Sequence, residues 1–271
     1  MLIPNPRGHY HFLKGIEPYS AGVIADPGFE IVHVTLRDQN VDWRNGFDLI
    51  EARLQTEGIE RSALCGVELR SPAPFTMPGF ISFNDGYCGV LEQWGLYVGD
   101  MNPVARTNVA PQYSPPESPT LYGFSYVIPT DESVPPTLVI AGAGELRDGI
   151  LDERGIVRVG DTGPEAIAEK AAFVMKVMEE RLHGLGARWD LLHVINIYTV
   201  HPIDDIVERV ILNRLGPARG RGLHWHRSLP PVEGIEFEMD MRGVRQELFS
   251  QSGFGQLQLR VHSPAAQSAP A

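Results

Sequence analysis

The strongest constraint on the fold is a helix–glycine–strand unit that occurs twice at one fixed spacing. Glu51, Ala52, Arg53 and Leu54 correspond to Glu179, Glu180, Arg181 and Leu182. Gly58, Leu64 and Leu69 then correspond to Gly186, Leu192 and Ile197. The offset is constant at 128 (182 − 54, 186 − 58, 192 − 64, 197 − 69). Any two helix–glycine–strand units share an outline, but an ungapped match through helix, stop and strand favours an internal duplication.

The second copy shows the pattern most clearly. Thr162 precedes Glu165 by three positions with Pro164 between them, which predicts a capping box. Ile167, Ala171, Val174, Met175, Met178 and Leu182 recur on one helical face. Gly184 and Gly186 stop the helix, and the Val-, Ile- and Tyr-rich run 191–200 reads as a buried strand.

The rest of the chain fits around these units. Residues 1–15, with Pro4, Pro6 and Gly8, read as an irregular arm. In the first half, strands are expected at 29–36, 62–69 and 103–109, with helices at 42–57 and 80–94. In the second half, strands are expected at 124–128, 137–142, 219–227 and 234–241, with a shorter helix at 203–215. The proline-rich run 111–119 predicts a stiff, extended linker. This gives an N-terminal domain at 1–112, a linker at 113–120, a C-terminal domain at 121–250 and a flexible tail at 251–271.

Composition narrows the class. Over 271 residues, 43% hydrophobic and 21% charged content predict a globular chain with room for two domains. No apolar run is long enough to span a bilayer, and the start lacks a signal-peptide core. Two cysteines, Cys65 and Cys88, do not make a disulfide framework, so a cytoplasmic location is expected. The net charge of −11 argues against a nucleic-acid partner.

The densest polar cluster lies late in the chain. A strand at 219–227 would align Arg219 and Arg221 on one face, opposite a following strand that carries Glu236, Glu238 and Asp240. Arginine grips a carboxylate with two prongs, and a glutamate beside it can activate water. The alternative is a cross-strand ion pair on a solvated sheet face. The pairs His9/His11 and His224/His226 have no third ligand nearby, so no metal is expected. Gly142-x-Gly144 is too short for a dinucleotide loop.

Several motifs now point to one family. Pro18-Tyr19-Ser20-Ala21-Gly22-Val23, Asn84 in the second helix, Pro103-Val104-Ala105-Arg106 and Pro217-Ala218-Arg219, and the run Ile235-Glu236-Phe237-Glu238 occur in the family's order. The chain resembles the RidA (YjgF) family of enamine/imine deaminases, in tandem and 2-aminomuconate deaminase-like. The resemblance implies an α+β fold of two tandem RidA-like (chorismate mutase-like) domains, each a sheet with two helices on one face. It implies a homotrimer, a small carboxylate-bearing substrate such as 2-aminomuconate or 2-aminoacrylate, and no cofactor. Catalytic roles fall to Glu236 with Arg219 or Arg221. Substrate-binding roles fall to Arg106, Asn84, Tyr19, Tyr122 and Gly142, the last matching a turn whose backbone lines the family's pocket. Another hydrolase on this fold, chorismatase-like or a ring-opening amidohydrolase, and a non-catalytic binding protein are the alternatives.

Overall fold

The computed structural model describes residues 1–37, 40–147 and 153–250. The expected tail at 251–271 lies outside the described residues. The chain is a mixed α+β protein of two sheets. Its strands in order are β1 (Leu2–Asn5), β2 (Tyr10–Leu13), β3 (Gly22–Ala25) and β4 (Phe29–Leu36). After helix α1 (Trp43–Thr56) comes β5 (Leu64–Arg70), then helix α2 (Met77–Gln93), β6 (Ala105–Pro111), β7 (Thr120–Pro129) and β8 (Leu138–Gly144). Helix α3 (Pro164–Gly184) leads to β9 (Val194–Tyr198), β10 (His224–His226), β11 (Ser228–Leu229), β12 (Glu238–Gly243) and β13 (Gln246–Ser250).

One sheet has the order β1-β2-β3-β8-β12-β9-β10, and the other β11-β6-β5-β7-β4-β13. Within them, β6-β5-β7-β4 and β10-β9-β12-β8 repeat the same pairing. The first pair is parallel and the next two are antiparallel in both sheets. The helix stops match as well. Gly58 and Gly186 have φ of +68° and +71°. Ile59 N–H bonds Leu54 C=O as Ala187 N–H bonds Leu182 C=O, again 128 residues apart. Only glycine takes that left-handed conformation without a Cβ penalty.

Helices α1 and α2 cover one sheet over a core that includes Val34, Phe47, Ile50, Leu69 and Tyr87. Helix α3 covers the other over Val174, Met178, Ile197 and Met239. Between the sheets, Tyr10, Phe12 and Val23 meet Ile31, Cys65 and Val127. The result is helix, sheet, sheet, helix.

Several sequence expectations are corrected here. The run 113–120 does not separate the sheets: β6 and β7, on either side of it, share one sheet, and β3 joins the sheet of β8. The arm at 1–15 is a hairpin in which Leu2 pairs with Leu13. Its prolines fit because β1 is an edge strand. Thr162 is not the cap of α3; Gly163 is, with no side-chain cap bond. The helix expected at 203–215 is broken into α, π and 3₁₀ turns. Arg219 and Arg221 lie in a 3₁₀ turn, Gly216–Arg221, and not on a strand. Pro217 starts that turn, and Gly222 at φ +77° ends it.

Polar side chains also line the space between the sheets. His33 is 1% exposed, 3.0 Å from Ser125 Oγ and 3.6 Å from Glu68. Burial, aided by the Arg242 charge, lowers its pKa to about 3. An unfolded histidine titrates near 6.5, so the unfolded chain takes up this proton first as pH falls. The stability from neutral His33 is complete above about pH 6.5 and is lost progressively toward pH 3. Relative to His33→Gln, wild type should therefore lose about 2 kcal/mol between pH 7 and pH 5 in denaturant unfolding. A pH-independent difference would show that His33 is not held neutral.

Candidate active site

Three of the expected residues meet under α2. Thr76 caps this helix by accepting from Gly79 N–H at 3.2 Å, and Pro78 sits in its first turn. The helix then presents Phe80, Phe83, Asn84 and Tyr87 at helical spacing. Arg106, on β6, is 3% exposed and donates from Nη2 to Asn84 Oδ1 at 2.8 Å. Its guanidinium lies 4.9 Å from the Tyr19 ring, 4.7 Å from Tyr87, 5.6 Å from Phe80 and 5.9 Å from Phe83. Tyr19 and Phe83 remain half-buried, so the cage reaches the surface.

This cage holds a cation whose salt-bridge partner is missing among the described residues. No ion pair involving Arg106 is found among the described residues, and its Nη1 is buried without a hydrogen-bond partner. Burial pulls the guanidinium below its ordinary range, against the pull of Tyr87 and Tyr19, yet arginine stays charged in proteins. Tyr87 Oη and Asn108 Nδ2 are likewise buried and unpartnered. Aromatic faces stabilise a cation, but an unfilled donor still carries its desolvation cost. Chemically, such an arrangement can receive an oxyanion.

The second half of the chain packs against this cage. Phe75 N–H bonds Pro231 C=O at 2.8 Å, and Glu233 N–H bonds Phe75 C=O at 2.9 Å. Phe80 clusters with Ile156, Val232 and Ile235. Glu236 is the next residue, and its Oε2 is 2.7 Å from His201 Nε2. Both side chains are about one-fifth exposed, so water reaches the pair. The Glu236 and Phe237 N–H groups both donate to the Glu145 carboxylate, at 2.7 and 2.9 Å. Glu145 in turn pairs with fully buried Lys170 at 3.0 Å.

The other expected residues lie elsewhere. Arg219 bonds Asn213 and Glu208 on the surface. Arg221 caps the carbonyls of Asp190 and Leu192. The position that matches Arg106 by register is Leu223, just before β10. Val67 pairs with Arg106, its counterpart is Ile195 (67 + 128), and the neighbouring pair Asn196–His224 puts Leu223 opposite Ile195. Tyr122 is the extra residue of a bulge between Gly123 and Leu121, and it stacks on Arg70 at 3.6 Å. Gly142 lies between the sheets. Its N–H donates to Thr107 Oγ1, and a Cβ there would collide with the Glu238 carboxylate.

Glu238 and Asp240 face the inter-sheet space. Burial, with the Asp240 charge beside it, holds Glu238 well above the usual carboxylate range. Asp240 accepts from Asn196 at 2.8 Å and Tyr198 at 2.9 Å. The cavity there, lined by Thr107, Ser125 and Asp240, is about 10 Å³, room for one water and not for a substrate. The sequence reading did not assign the lining Phe80, Phe83 and Tyr87 to the site or pair Glu236 with His201. The aromatic spacing in α2 was the available signal for the lining; nothing local links 201 to 236.

Among solved structures, the chain is 17% identical to a chorismatase, with 83% of this chain and 77% of that one covered at a TM-score of 0.46. It is 12% identical to a cyanuric acid hydrolase, with 82% and 69% covered at a TM-score of 0.38. A curated relative, 2-amino-5-chloromuconate deaminase of Comamonas testosteroni, is 41% identical over 242 residues, 89% of this chain and 95% of that protein. Residues 2–248 match the family described as 2-aminomuconate deaminase CnbZ, and the chain belongs to that family.

Proposed function

We propose that this protein hydrolyses a dicarboxylated enamine of the 2-aminomuconate type to the oxo acid and ammonia. The observation that carries this is the buried Arg106 guanidinium with Nη1 unpartnered among aromatic rings. A substrate carboxylate fills it, and the flat conjugated chain lies against the rings of Tyr19, Phe80 and Phe83. Family membership and the 41% identical deaminase support the reaction class.

In this reading the enamine takes a proton on carbon and becomes an iminium. The Glu236 carboxylate, oriented by His201, removes a proton from water as the water oxygen attacks the C=N carbon. The carbinolamine collapses as the Glu236–His201 pair returns its proton to nitrogen and ammonia leaves, while the hydroxyl proton is lost as the carbonyl forms and replaces the one taken up on carbon. One water is consumed and one ammonia is released, so the balance needs no cofactor. The iminium carbon is electrophilic by itself. Glu236→Gln should lower kcat by about 100-fold while a substrate-shaped dicarboxylate still binds. Full turnover by that variant would place the base elsewhere.

The tandem RidA-like arrangement belongs to the same proposal. Its support is the repeated four-strand order and the paired helix stops. The first unit then closes on β7, beyond the run at 113–120, because β7 pairs with β4 and β5. Three chains would supply six such units, so a homotrimer is the simplest closed assembly. Light scattering at micromolar concentration should give three times the 30.0 kDa chain mass; a monomeric mass contradicts it.

A further inference from the structure

We propose that Asn108 is a second donor to the carboxylate that Arg106 holds, an inference that rests on the carboxylate-binding reading of Arg106. Asn108 lies two residues beyond Arg106 on β6, so both side chains leave the same face of the strand about 7 Å apart. Thr107 between them points to the other face, where it meets Gly142.

Asn108 is 2% exposed, and its two polar atoms have different fates. Oδ1 accepts from the Ser71 hydroxyl at 3.0 Å. Nδ2 has no partner among the described residues. With Oδ1 on Ser71, the end of the amide that faces away from Ser71 is Nδ2, a donor. A buried amide that served only packing would find a partner or be replaced by an apolar side chain of similar size.

The two orphan nitrogens share a chemical character. Arg106 Nη1 and Asn108 Nδ2 both donate and cannot accept. Their common complement is a group that only accepts, with more than one oxygen. A carboxylate meets that description, and its two oxygens match two donors on one strand face. Asn108 touches the substrate and supplies no proton, so it acts in binding and not in chemistry.

The test uses the full chain and cis,cis-muconate, a dicarboxylate of the right shape without the reactive amine, titrated by calorimetry. Asn108→Asp keeps the acceptor for Ser71 and replaces the donor with a like charge. It should raise the Kd by roughly 10- to 100-fold, the loss expected for one hydrogen bond to a charged group. Ser71→Ala frees the amide to turn and should weaken binding less. With the amino substrate, KM should rise while kcat at saturation stays within a few-fold. If Asn108→Asp does not unfold cooperatively, Asn108→Ser decides, since its hydroxyl is too short to span the gap. Wild-type binding in the folded Asn108 variants, with binding lost in Arg106→Ala, overturns the assignment and leaves Arg106 in place. Wild-type binding in Arg106→Ala overturns both.

Discussion

Arg106→Ala is expected to lower kcat/KM by about 100-fold or more, the loss of one or two charge-assisted hydrogen bonds to the substrate. Arg106→Lys should recover part of the binding and little of the turnover. Lysine keeps the charge but cannot bond Asn84 and a carboxylate through one planar fork. Stability separates this role from a structural one. In the free protein Arg106 is a buried cation with Nη1 unpartnered and no ion pair among the described residues, so its removal should leave the Tm unchanged or raised. Saturating dicarboxylate should then stabilise wild type and not Arg106→Ala. A variant that loses several degrees of Tm and keeps its kcat/KM would make Arg106 a structural residue.

Lys170→Met is expected to produce the largest loss of stability. Lys170 Nζ bonds Glu145 Oε1 at 3.0 Å and Val157 C=O at 2.8 Å, with both charged side chains fully buried. Removing one partner of such a pair costs about 3–5 kcal/mol, and Tm should fall on the order of 10 °C. Burial already raises the Glu145 pKa against the pull of Lys170, and without Lys170 it rises further. A carboxyl whose folded pKa lies above its unfolded value favours folding below the unfolded pKa and loses that contribution as pH rises. The deficit of Lys170→Met should therefore be greatest at neutral and alkaline pH and shrink toward pH 4–5. Activity should fall as well, because Glu145 holds the backbone of Glu236 and Phe237. A Tm within about 2 °C of wild type would mean that the pair is not maintained in the folded protein.

Much of the candidate site is legible one half at a time. Tyr19, Asn84 and Arg106 were singled out from local motifs, and they converge because a capped helix and an edge-proximal strand each fix their own side-chain directions. Glu236 was found the same way, but its partner His201 and its support from Glu145 and Lys170 were not. Those contacts join residues 35, 91 and 66 positions from Glu236 (236 − 201, 236 − 145, 236 − 170), and no periodicity spans such distances.

Arg219 and Arg221 show how local pattern misleads. Alternation put them on a strand, but Pro217 and the glycines on either side favour a 3₁₀ turn, and the register gives the matching position to Leu223. Tyr122 was redirected by a single bulge, which turns a side chain that alternation would place on the helix face toward Arg70.

The sequence alone determined the two helix–glycine–strand units. A helix, its glycine stop and the next strand are local structures, set by periodicity and by the residue that takes positive φ without a Cβ penalty. Tertiary structure alone decided how these units combine. Strands pair through backbone groups that every residue carries, so sequence composition does not say that β7 closes the first sheet or that β1 to β3 extend the second. That exchange brings Ile235 onto Phe80 beside Arg106. The candidate site is therefore a property of sheet pairing across the two halves, which no single stretch of the chain encodes.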